Sequence, residues 1–297
     1  MSAMDFPAWM AAQQALVEEA LSRWVAADSP AGLGQVMRYA VLGGGKRLRP
    51  LLVLATSEAV RGNDAAALRA ACATELIHAY SLVHDDLPCM DNDVLRRGKP
   101  TVHVQFGEAR ALLAGDALQA LAFELLAPDD ATMPPAMQAA LCRLLARAVG
   151  VRGMAGGQAI DLASVGQRLT EPELCAMHQL KTGALLQASV RMGATCGADV
   201  PSKARLALDD YGAAIGLAFQ VVDDILDVTA DSNALGKTVG KDSAADKPTY
   251  VSLLGLQASQ ALADDLRVRA HAALDGSGMT RLGPLRALAD LVVRREN

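Results

Sequence analysis

The chain has 297 residues, a net charge near −5 at pH 7 and 52% apolar residues, of which few are aromatic. The small negative charge gives no reason to expect a nucleic-acid partner, and charged residues interrupt every window of about 20 residues, so no membrane span is predicted. Alanine and leucine supply most of the apolar content and favour helices, whereas the scarcity of aromatic residues argues against a large sheet. Composition therefore predicts an all-α protein.

Helical spacing recurs along the whole chain, with apolar residues at steps of three and four. Short breaks at glycine and proline separate the helices, and no stretch has the composition of an interdomain linker. We therefore predict one domain, residues 1–297, built as a single bundle of about ten helices. The predicted helices cover residues 8–27, 50–61, 64–86, 108–127, 135–149, 171–193, 201–229, 248–274 and 280–294.

The N-terminus and the cysteines indicate the cellular compartment. Early acidic residues, and the lack of a basic segment before an apolar core, argue against a secretory signal. The five cysteines are widely spaced and form no CxxC pair, a pattern that is typical of a reducing compartment and offers no zinc site. We therefore expect a cytoplasmic protein.

The first segment with chemical information is HDDLPCMDND at residues 84–93, which contains four aspartates. Close carboxylates repel one another, and Mg²⁺, which prefers hard oxygen ligands, would relieve that repulsion. Because Pro88 cannot donate a backbone hydrogen bond, we expect an unwound turn that brings Asp91 back toward Asp85. Taken alone, the cluster is also compatible with a solvated acidic helix end, but the residue order of an EF-hand calcium loop is absent.

The second acidic segment, Asp223-Asp224-Ile225-Leu226-Asp227, lies in an apolar helical stretch. Asp223 and Asp227 are four residues apart and therefore share one face of a helix. Burial of carboxylates without a cation is costly. Two acidic clusters embedded in apolar helices therefore favour metal binding over the solvated alternative.

Basic residues occur in short groups that could bind phosphate oxygens, since arginine offers two parallel N–H donors and lysine a compact point charge. The sequence GGGKRLRP at residues 43–50 is not a nucleotide P-loop, and an ordinary loop with surface cations is the alternative. His78 lies two turns before Asp85, where a structural role and a ligand contact are both compatible with the pattern. The other histidines that we interpret as structural or surface residues are His103, His178 and His271. The candidate cations are Lys46, Arg47, Arg49, Arg96, Arg97, Lys181, Lys237, Lys241 and Lys247.

In their order along the chain, these motifs resemble the trans-polyprenyl synthase family, in particular its bacterial farnesyl diphosphate synthases. The resemblance implies a helical bundle around a deep central cavity, three Mg²⁺ ions and a homodimer. The chain departs from many relatives at Asn92, where Asp is common, and at Pro248, which leaves the role of the neighbouring Lys247 open. The matching segments, from about residue 39 to residue 256, are GGGKRLRP, ELIHAYSLVHDDLPCMDNDVLRRGKPT, LAGDALQ, GGQAIDL, HQLKTGALL, GLAFQVVDDILDV, LGKTVGKD and DKPTY.

The resemblance also implies a role for individual residues. The expected metal ligands are Asp85, Asp86, Asp91, Asp223, Asp224 and Asp227. The diphosphate of isopentenyl diphosphate is expected to contact Lys46, Arg49, His78 and Arg97. The allylic diphosphate is expected to contact Arg96, Lys181, Thr182, Gln220, Lys237 and Lys247. Catalytic roles are expected for Asp85, Asp86, Asp91, Arg96, Lys181, Asp223, Asp224 and Lys237.

The implied reaction joins isopentenyl diphosphate to dimethylallyl and then geranyl diphosphate, which gives farnesyl diphosphate. Charge on the departing diphosphate would be stabilised by Mg²⁺ and cations, and the allylic cation requires a pocket that excludes water. Tyr80 and Ser81 lie about one helical turn before Asp85. A bulky Tyr80 at this depth resembles the farnesyl-producing pattern of the family, which implies a pocket that stops at C15. The alternatives are a geranyl or geranylgeranyl diphosphate synthase, a class I terpene cyclase, and a regulatory subunit without activity of its own.

Overall fold

The computed structural model describes residues 4–167, 169–229 and 249–295. Within these ranges the only strands are the short antiparallel pair β1 (Leu95–Arg96) and β2 (Lys99–Pro100). The prediction of an all-α protein is therefore confirmed. The helices are α1 (Phe6–Trp24), α2 (Leu33–Val41), α3 (Leu48–Ala59), α4 (Asp64–Asp85), α5 (Val102–Phe106), α6 (Glu108–Leu126), α7 (Pro135–Val149), α8 (Met154–Ala163), α9 (Glu171–His178), α10 (Ala184–Thr195), α11 (Ser202–Thr229), α12 (Tyr250–Leu254), α13 (Leu256–Asp275) and α14 (Gly283–Arg294), with a 3₁₀ turn at Pro30–Gly32 and a π-helical segment at Gln179–Gly183.

Two helices, α4 and α11, organise the packing of the bundle. Helix α4 packs against α3, α6 and α10, and helix α11 packs against α13 and α10. Each has its own cluster of fully buried side chains, including Leu76 and Leu118 around α4 and Tyr211 and Leu288 around α11. Burial of one such leucine contributes about 1.5–3 kcal/mol. Because α10 contacts both helices, the acidic segments at their C-terminal ends are held in one framework.

Side-chain caps fix where α1 and α4 begin. Asp5 Oδ1 accepts a hydrogen bond from the Ala8 N–H at 3.1 Å, and Asn63 Oδ1 accepts one from the Ala66 N–H at 2.9 Å. A cap of this kind contributes about 1 kcal/mol. Helix α4 then runs without a break for 22 residues, and its last residue is Asp85 of the first acidic cluster.

The sequence pattern misses α2, α5 and α8 and joins two pairs of helices that the structure separates. The predicted helix 171–193 is α9, the π-helical segment and α10, and the predicted helix 248–274 is divided at Gly255. Helix α8 contains two adjacent glycines, which disfavour a helix in isolation. Tertiary packing requires one of them, because a Cβ on Gly157 would lie 2.1 Å from the backbone nitrogen of Lys181.

No helix in the described ranges combines the length and the apolar character needed to cross a membrane. Two cavities open at the surface of the bundle, one of about 330 Å³ beside α13 and α14 and one of about 560 Å³ beside α7 and the end of α10. Neither is lined by the acidic clusters, so the deep central cavity that the resemblance implies is not one of them.

Candidate active site

The backbone unwinds after α4 and folds back on itself. The Asp91 N–H donates to the Asp85 carbonyl at 2.8 Å, and the Asn92 N–H donates to the Leu87 carbonyl at 3.1 Å. Asn92 has the left-handed conformation, with φ of 50°, which asparagine tolerates better than most residues. The predicted turn around Pro88 is therefore confirmed, and it brings Asp91 back to the end of α4.

The carboxylates of this turn repel one another. Burial is the largest cause that raises the pKa of Asp85, and its net value is about 6. The nearby carboxylates of Asp91 and Asp86 also raise this pKa, whereas the charges of Lys181 and Arg96 lower it. A divalent cation interacts favourably with a partly buried carboxylate that has carboxylate neighbours, because the cation offsets both the burial of charge and the repulsion. The donor set therefore fits Mg²⁺, which binds through one or two carboxylates and takes its other ligands from water and phosphate oxygens. Among the described residues, no three Asp, Glu, His or Cys side chains lie close enough together to hold a metal ion by themselves.

Asp86 and Arg96 form a close pair. Asp86 is only 2% exposed, and Arg96 Nε donates to its two oxygens at 3.0 and 2.9 Å while Nη2 donates to Oδ1 at 2.5 Å. Arg96 Nη2 also lies 3.6 Å from Asp93 Oδ2. The roles expected of Asp86 as a metal ligand and of Arg96 as a diphosphate contact stay predictions, and both would require this pair to rearrange.

The second acidic cluster divides into two faces of α11. Asp223 is half-exposed, at 52% of its side chain, and Asp227 follows it one turn later on the same face, as the spacing predicts. Asp224 is buried and bridges two elements, because it accepts from the Gln220 amide at 3.1 Å and from the Tyr250 N–H at 2.8 Å. The bond from Tyr250 ties α12 to α11, and the bond from Gln220 lies within α11. The contacts expected of Asp224 with metal and of Gln220 with the allylic diphosphate stay predictions.

Arg47 has a structural environment that its neighbours in the GGGKRLRP loop lack. It is 4% exposed, forms salt bridges of 2.5 Å with both Glu18 of α1 and Glu75 of α4, and donates to the Val41 carbonyl at 2.7 Å. One guanidinium therefore joins α1, the end of α2 and α4. It fixes the loop from which Lys46 and Arg49 extend.

Arg49, His78 and Arg97, three residues expected to contact one diphosphate, lie within electrostatic range of each other. Burial lowers the pKa of Arg49 to about 10, and the charge of Arg97 contributes in the same direction. Burial also lowers the pKa of His78 well below its usual value, with Arg49 and Arg97 adding to the effect, so the ring is neutral at pH 7. Arg49 Nε is buried and has no hydrogen-bond partner among the described residues. An anion placed here would relieve the repulsion between the two guanidinium groups.

The loop after the first acidic cluster closes over the glycine turn. Arg97 Nη1 donates to the Gly44 carbonyl at 2.6 Å, and Tyr39 donates from its hydroxyl to the Pro100 carbonyl at 2.8 Å. These contacts join the β1–β2 hairpin to α2 and to the loop that follows it. They explain how Arg97, which is 51 residues beyond Lys46 by their numbers, comes to the same region.

Lys181 lies in the π-helical segment and binds Asp161. Its Nζ donates to Asp161 Oδ2 at 2.5 Å, and Asp161 is 6% exposed. Because its charge also lowers the pKa of Asp85, Lys181 faces the first acidic cluster. Asp161 belongs to the GGQAIDL motif, but the sequence analysis assigned it no role. The feature that could have identified it is an acidic residue close to glycines that allow close helix packing.

Tyr80 lies below the first acidic cluster, where it contacts His84. The two rings are 5.7 Å apart and meet edge to face, and His84 Nε2 lies 3.1 Å from the Leu112 carbonyl of α6. Gly115 makes room for the imidazole, since a Cβ there would lie 2.1 Å from Nε2. Ser81 Oγ donates to the His78 carbonyl at 2.9 Å. Tyr80 is thus linked to α6 through His84, and the sequence of α4 alone does not predict this link.

One cation at the second acidic cluster has no counterpart in the sequence motifs. Arg295, which follows α14, donates from Nη2 to Asp223 Oδ1 at 3.0 Å. Burial and, after it, the charge of Arg295 lower the pKa of Lys46, so Arg295 lies between the second acidic cluster and the GGGKRLRP loop. The expected contacts of Lys237 and Lys247 lie outside the described residues.

Comparison with known proteins agrees with the features on which the resemblance rests. The family described as polyprenyl synthetase matches residues 30–273. A probable farnesyl diphosphate synthase of Bradyrhizobium diazoefficiens is 53% identical over 293 residues, which are 96% of this chain and 86% of that protein. The chloroplastic geranylgeranyl pyrophosphate synthase 7 of Arabidopsis thaliana is 46% identical over 296 residues, or 99% of this chain and 85% of that protein.

Solved structures share the fold over nearly the whole chain. The FPP/GFPP synthase of Zymomonas mobilis is 41% identical with a TM-score of 0.87, covering 97% of this chain and 99% of that one. The geranyltransferase of Helicobacter pylori, complexed with magnesium and isoprenyl diphosphate, is 34% identical with a TM-score of 0.88, covering 99% of this chain and 100% of that one. An all-α bundle is thus the shared architecture. The chain belongs to the polyprenyl synthetase family.

Proposed function

We propose that this protein is a Mg²⁺-dependent, short-chain trans-prenyltransferase that makes farnesyl diphosphate from isopentenyl diphosphate and the dimethylallyl and geranyl diphosphates. The observation that carries the proposal is the separation of two kinds of site. Carboxylates gather at Asp85 and Asp91, where burial and mutual repulsion raise the pKa of Asp85, and cations gather at Arg49 and Arg97, where burial and the neighbouring charge lower the pKa of Arg49. A reaction with two diphosphate substrates needs both kinds of site, one for a metal-bound leaving group and one for a diphosphate that stays intact.

The allylic half of the reaction takes place at the first kind of site. Ionisation breaks the bond between the allylic carbon and its diphosphate oxygen, and Lys181 stabilises the negative charge that develops there. When bound by Asp85, Asp91 and Asp223, Mg²⁺ supplies further neutralisation of the diphosphate oxygens. Arg96 joins them once its pair with Asp86 opens. We infer three ions per site, as the family resemblance implies.

The isopentenyl half takes place at the second kind of site. Arg49 and Arg97 hold the second diphosphate through charge-assisted hydrogen bonds, and neutral His78 adds a donor or an acceptor without further repulsion. The C=C bond of isopentenyl diphosphate then forms the new bond to the allylic carbon. Loss of a proton to the departed diphosphate restores an alkene, so no protein base is required. Apolar helix faces exclude the water that would otherwise capture the cation.

The proposal extends to assembly and location, which rest on the resemblance and on the spacing of the cysteines. We infer a homodimer in the cytoplasm, with no nucleic-acid partner. A class I terpene cyclase is a weaker candidate, because it has no second diphosphate to place at Arg49 and Arg97. A geranylgeranyl diphosphate synthase is the second candidate, since a relative with that name is 46% identical over 99% of this chain, against 53% over 96% for a probable farnesyl diphosphate synthase.

A product assay tests the proposed reaction. Purified protein receives Mg²⁺, isopentenyl diphosphate and dimethylallyl diphosphate, and the products are dephosphorylated and identified as alcohols by gas chromatography. Farnesol that disappears with EDTA is the expected result. Mainly geraniol or geranylgeraniol would keep the reaction but refute the C15 product, and hydrocarbon from an allylic diphosphate alone would indicate a cyclase. No alcohol beyond C5 would refute the prenyltransferase.

Tyr80→Ala tests whether Tyr80 ends the pocket. Loss of the ring, which is backed by His84 and α6, opens space below the first acidic cluster, so the main product is expected to shift from C15 to C20 while total turnover stays within about tenfold. The measurement is the alcohol distribution in the same assay. Ser81→Ala is the matched control, because Ser81 is small and its hydroxyl donates to the His78 carbonyl of its own helix. Products that stay at C15 would show that another residue stops the chain.

A further inference from the structure

Arg295 is a buried cation placed on an oxygen of the second acidic cluster. Its side chain is 9% exposed, and Nη2 donates both to Asp223 Oδ1 and to the Phe219 carbonyl at 3.0 Å. The guanidinium carbon lies 4.0 Å from the centre of the Phe219 ring, within the range of a cation–π contact. Three contacts with α11 therefore hold a residue that lies outside every motif of the sequence.

The position is costly for an arginine. Its Nε is buried and has no hydrogen-bond partner among the described residues. Burial lowers the pKa of Arg295, and among the described residues only the carboxylate of Asp223 acts in the opposite direction. The charge of Lys46 is close enough for the two cations to disfavour each other. Asp223 is therefore the main electrostatic reason for Arg295 to lie where it does.

We propose that Arg295 is the internal counter-cation of Asp223 in the metal-free protein and that a divalent metal ion displaces it. This inference rests on the proposed function, in which Asp223 is a metal ligand. A metal ion and the Arg295 guanidinium compete for Oδ1 of Asp223, and a doubly charged ion attracts that carboxylate more strongly than a singly charged one. Once the metal is bound, repulsion between the two cations moves Arg295 off the carboxylate.

Competition has a measurable consequence for metal affinity. Removing the competing charge with Arg295→Gln is expected to tighten Mn²⁺ binding by about fivefold to tenfold, the scale of a coupling between neighbouring charges. The measurement is a titration of the full chain with Mn²⁺ alone, in which free Mn²⁺ is followed by electron paramagnetic resonance. Arg294→Gln is the matched control, because it removes the same charge from the preceding, exposed residue. It is expected to bind Mn²⁺ as the wild type does.

A double-mutant cycle shows whether the effect passes through Asp223. In an Asp223→Asn background, where the shared oxygen no longer carries a charge, the change Arg295→Gln is expected to leave Mn²⁺ affinity within twofold. Arg295→Lys keeps the charge and is expected to stay within about threefold of the wild type. An equal tightening with and without Asp223 would overturn the proposal, since the effect would then be one of overall charge.

A second measurement uses the wild type and so does not depend on the folding of a variant. Trypsin cleaves after arginine, and cleavage after Arg295 removes Glu296 and Asn297, which intact-mass spectrometry detects. Because the Arg295 side chain is buried on Asp223, Mn²⁺ is expected to accelerate this cleavage severalfold, whereas cleavage in the Asp223→Asn variant is fast with or without metal. An unchanged rate in the wild type would overturn the proposal.

The failure of this inference can be told apart from the failure of the proposed function. Wild-type protein that binds no Mn²⁺ would refute the metal site itself and the displacement of Arg295 with it. Wild-type protein that binds Mn²⁺ as tightly as Arg295→Gln would refute only the competition. Weaker binding by Arg295→Gln would mean that Arg295 positions Asp223 for the metal, which also contradicts displacement.

Discussion

Asp85→Asn is expected to lower kcat/KM for prenyl transfer by about 10³-fold, the loss observed when one preorganised electrostatic group is removed from an active site. Asp85 ends α4 and lies beside Asp91 in the turn where the carboxylates repel one another. Without its charge, the site loses both metal affinity and neutralisation of the leaving group. The measurement is steady-state kinetics at saturating Mg²⁺, with Asp129→Asn, an exposed carboxylate in the loop before α7, as a control that is expected to be unchanged.

The same substitution is expected to stabilise the metal-free protein. The unfolded pKa of an aspartate is near 3.9, and the folded pKa of Asp85 is raised to about 6 by burial. Between these values the folded state binds the proton more tightly, so stability falls as the pH rises from about 4 through about 6. Asparagine does not ionise, and Asp85→Asn should therefore gain roughly 2–3 kcal/mol at pH 8 but little at pH 4.

Urea unfolding with EDTA at pH 4 and pH 8 measures this gain, and added Mg²⁺ should stabilise the wild type more than the variant. An inactive variant that is no more stable than the wild type at pH 8 would contradict the electrostatic reason given for its inactivity. An active variant would remove Asp85 from the metal site. Together the two measurements separate loss of function from loss of fold.

Arg47→Met is expected to lower the free energy of unfolding by about 3–5 kcal/mol, because removing one partner of a buried ion pair leaves an uncompensated buried charge. That charge is Glu75, whose side chain is 5% exposed. Methionine fills most of the volume of the arginine stem but cannot donate to Glu75, Glu18 or the Val41 carbonyl. The measurement is urea unfolding at pH 7, where the sum of these losses appears as a lower midpoint.

Lys46→Met is the matched control for this prediction, since Lys46 precedes Arg47 in the same loop and is exposed. It is expected to change stability by less than about 0.5 kcal/mol, as surface substitutions do. A second variant, Glu75→Gln, keeps a hydrogen-bond acceptor and removes the charge, and it should destabilise less than Arg47→Met. A loss below about 1 kcal/mol in Arg47→Met would show that the triad with Glu18 and Glu75 contributes little to the fold.

Sequence patterns were sufficient where local chemistry decides the structure. Helical periodicity predicted the long helices α4, α6, α7 and α11 to within about two residues at each end. The proline and the aspartates of residues 84–93 predicted the turn after α4, because the missing N–H of Pro88 and the repulsion of the carboxylates are properties of the segment itself. The same reasoning failed for α8, whose glycines disfavour a helix until Lys181 packs against Gly157.

Sequence could not divide the cations of one loop into roles. Lys46, Arg47 and Arg49 are chemically alike and separated by one or two positions, yet only Arg47 meets two carboxylates, which come from α1 and α4. The backbone at Arg47 has the left-handed conformation, with φ of 51°. Which of three adjacent cations is structural therefore depends on helices that are distant in sequence.

The chain by itself determined the all-α class, the family, the two acidic segments and the i, i+4 placement of Asp223 and Asp227, because each follows from composition, motif or helix geometry within one segment. Only the tertiary structure decided that Asp86 pairs with Arg96, that Asp224 holds α12 rather than facing outward with Asp223, and that Arg295 lies on the second acidic cluster. The physical reason is the same in each case. The packing of the helices decides which residues lie next to a buried charged side chain, and this packing cannot be read from any one helix.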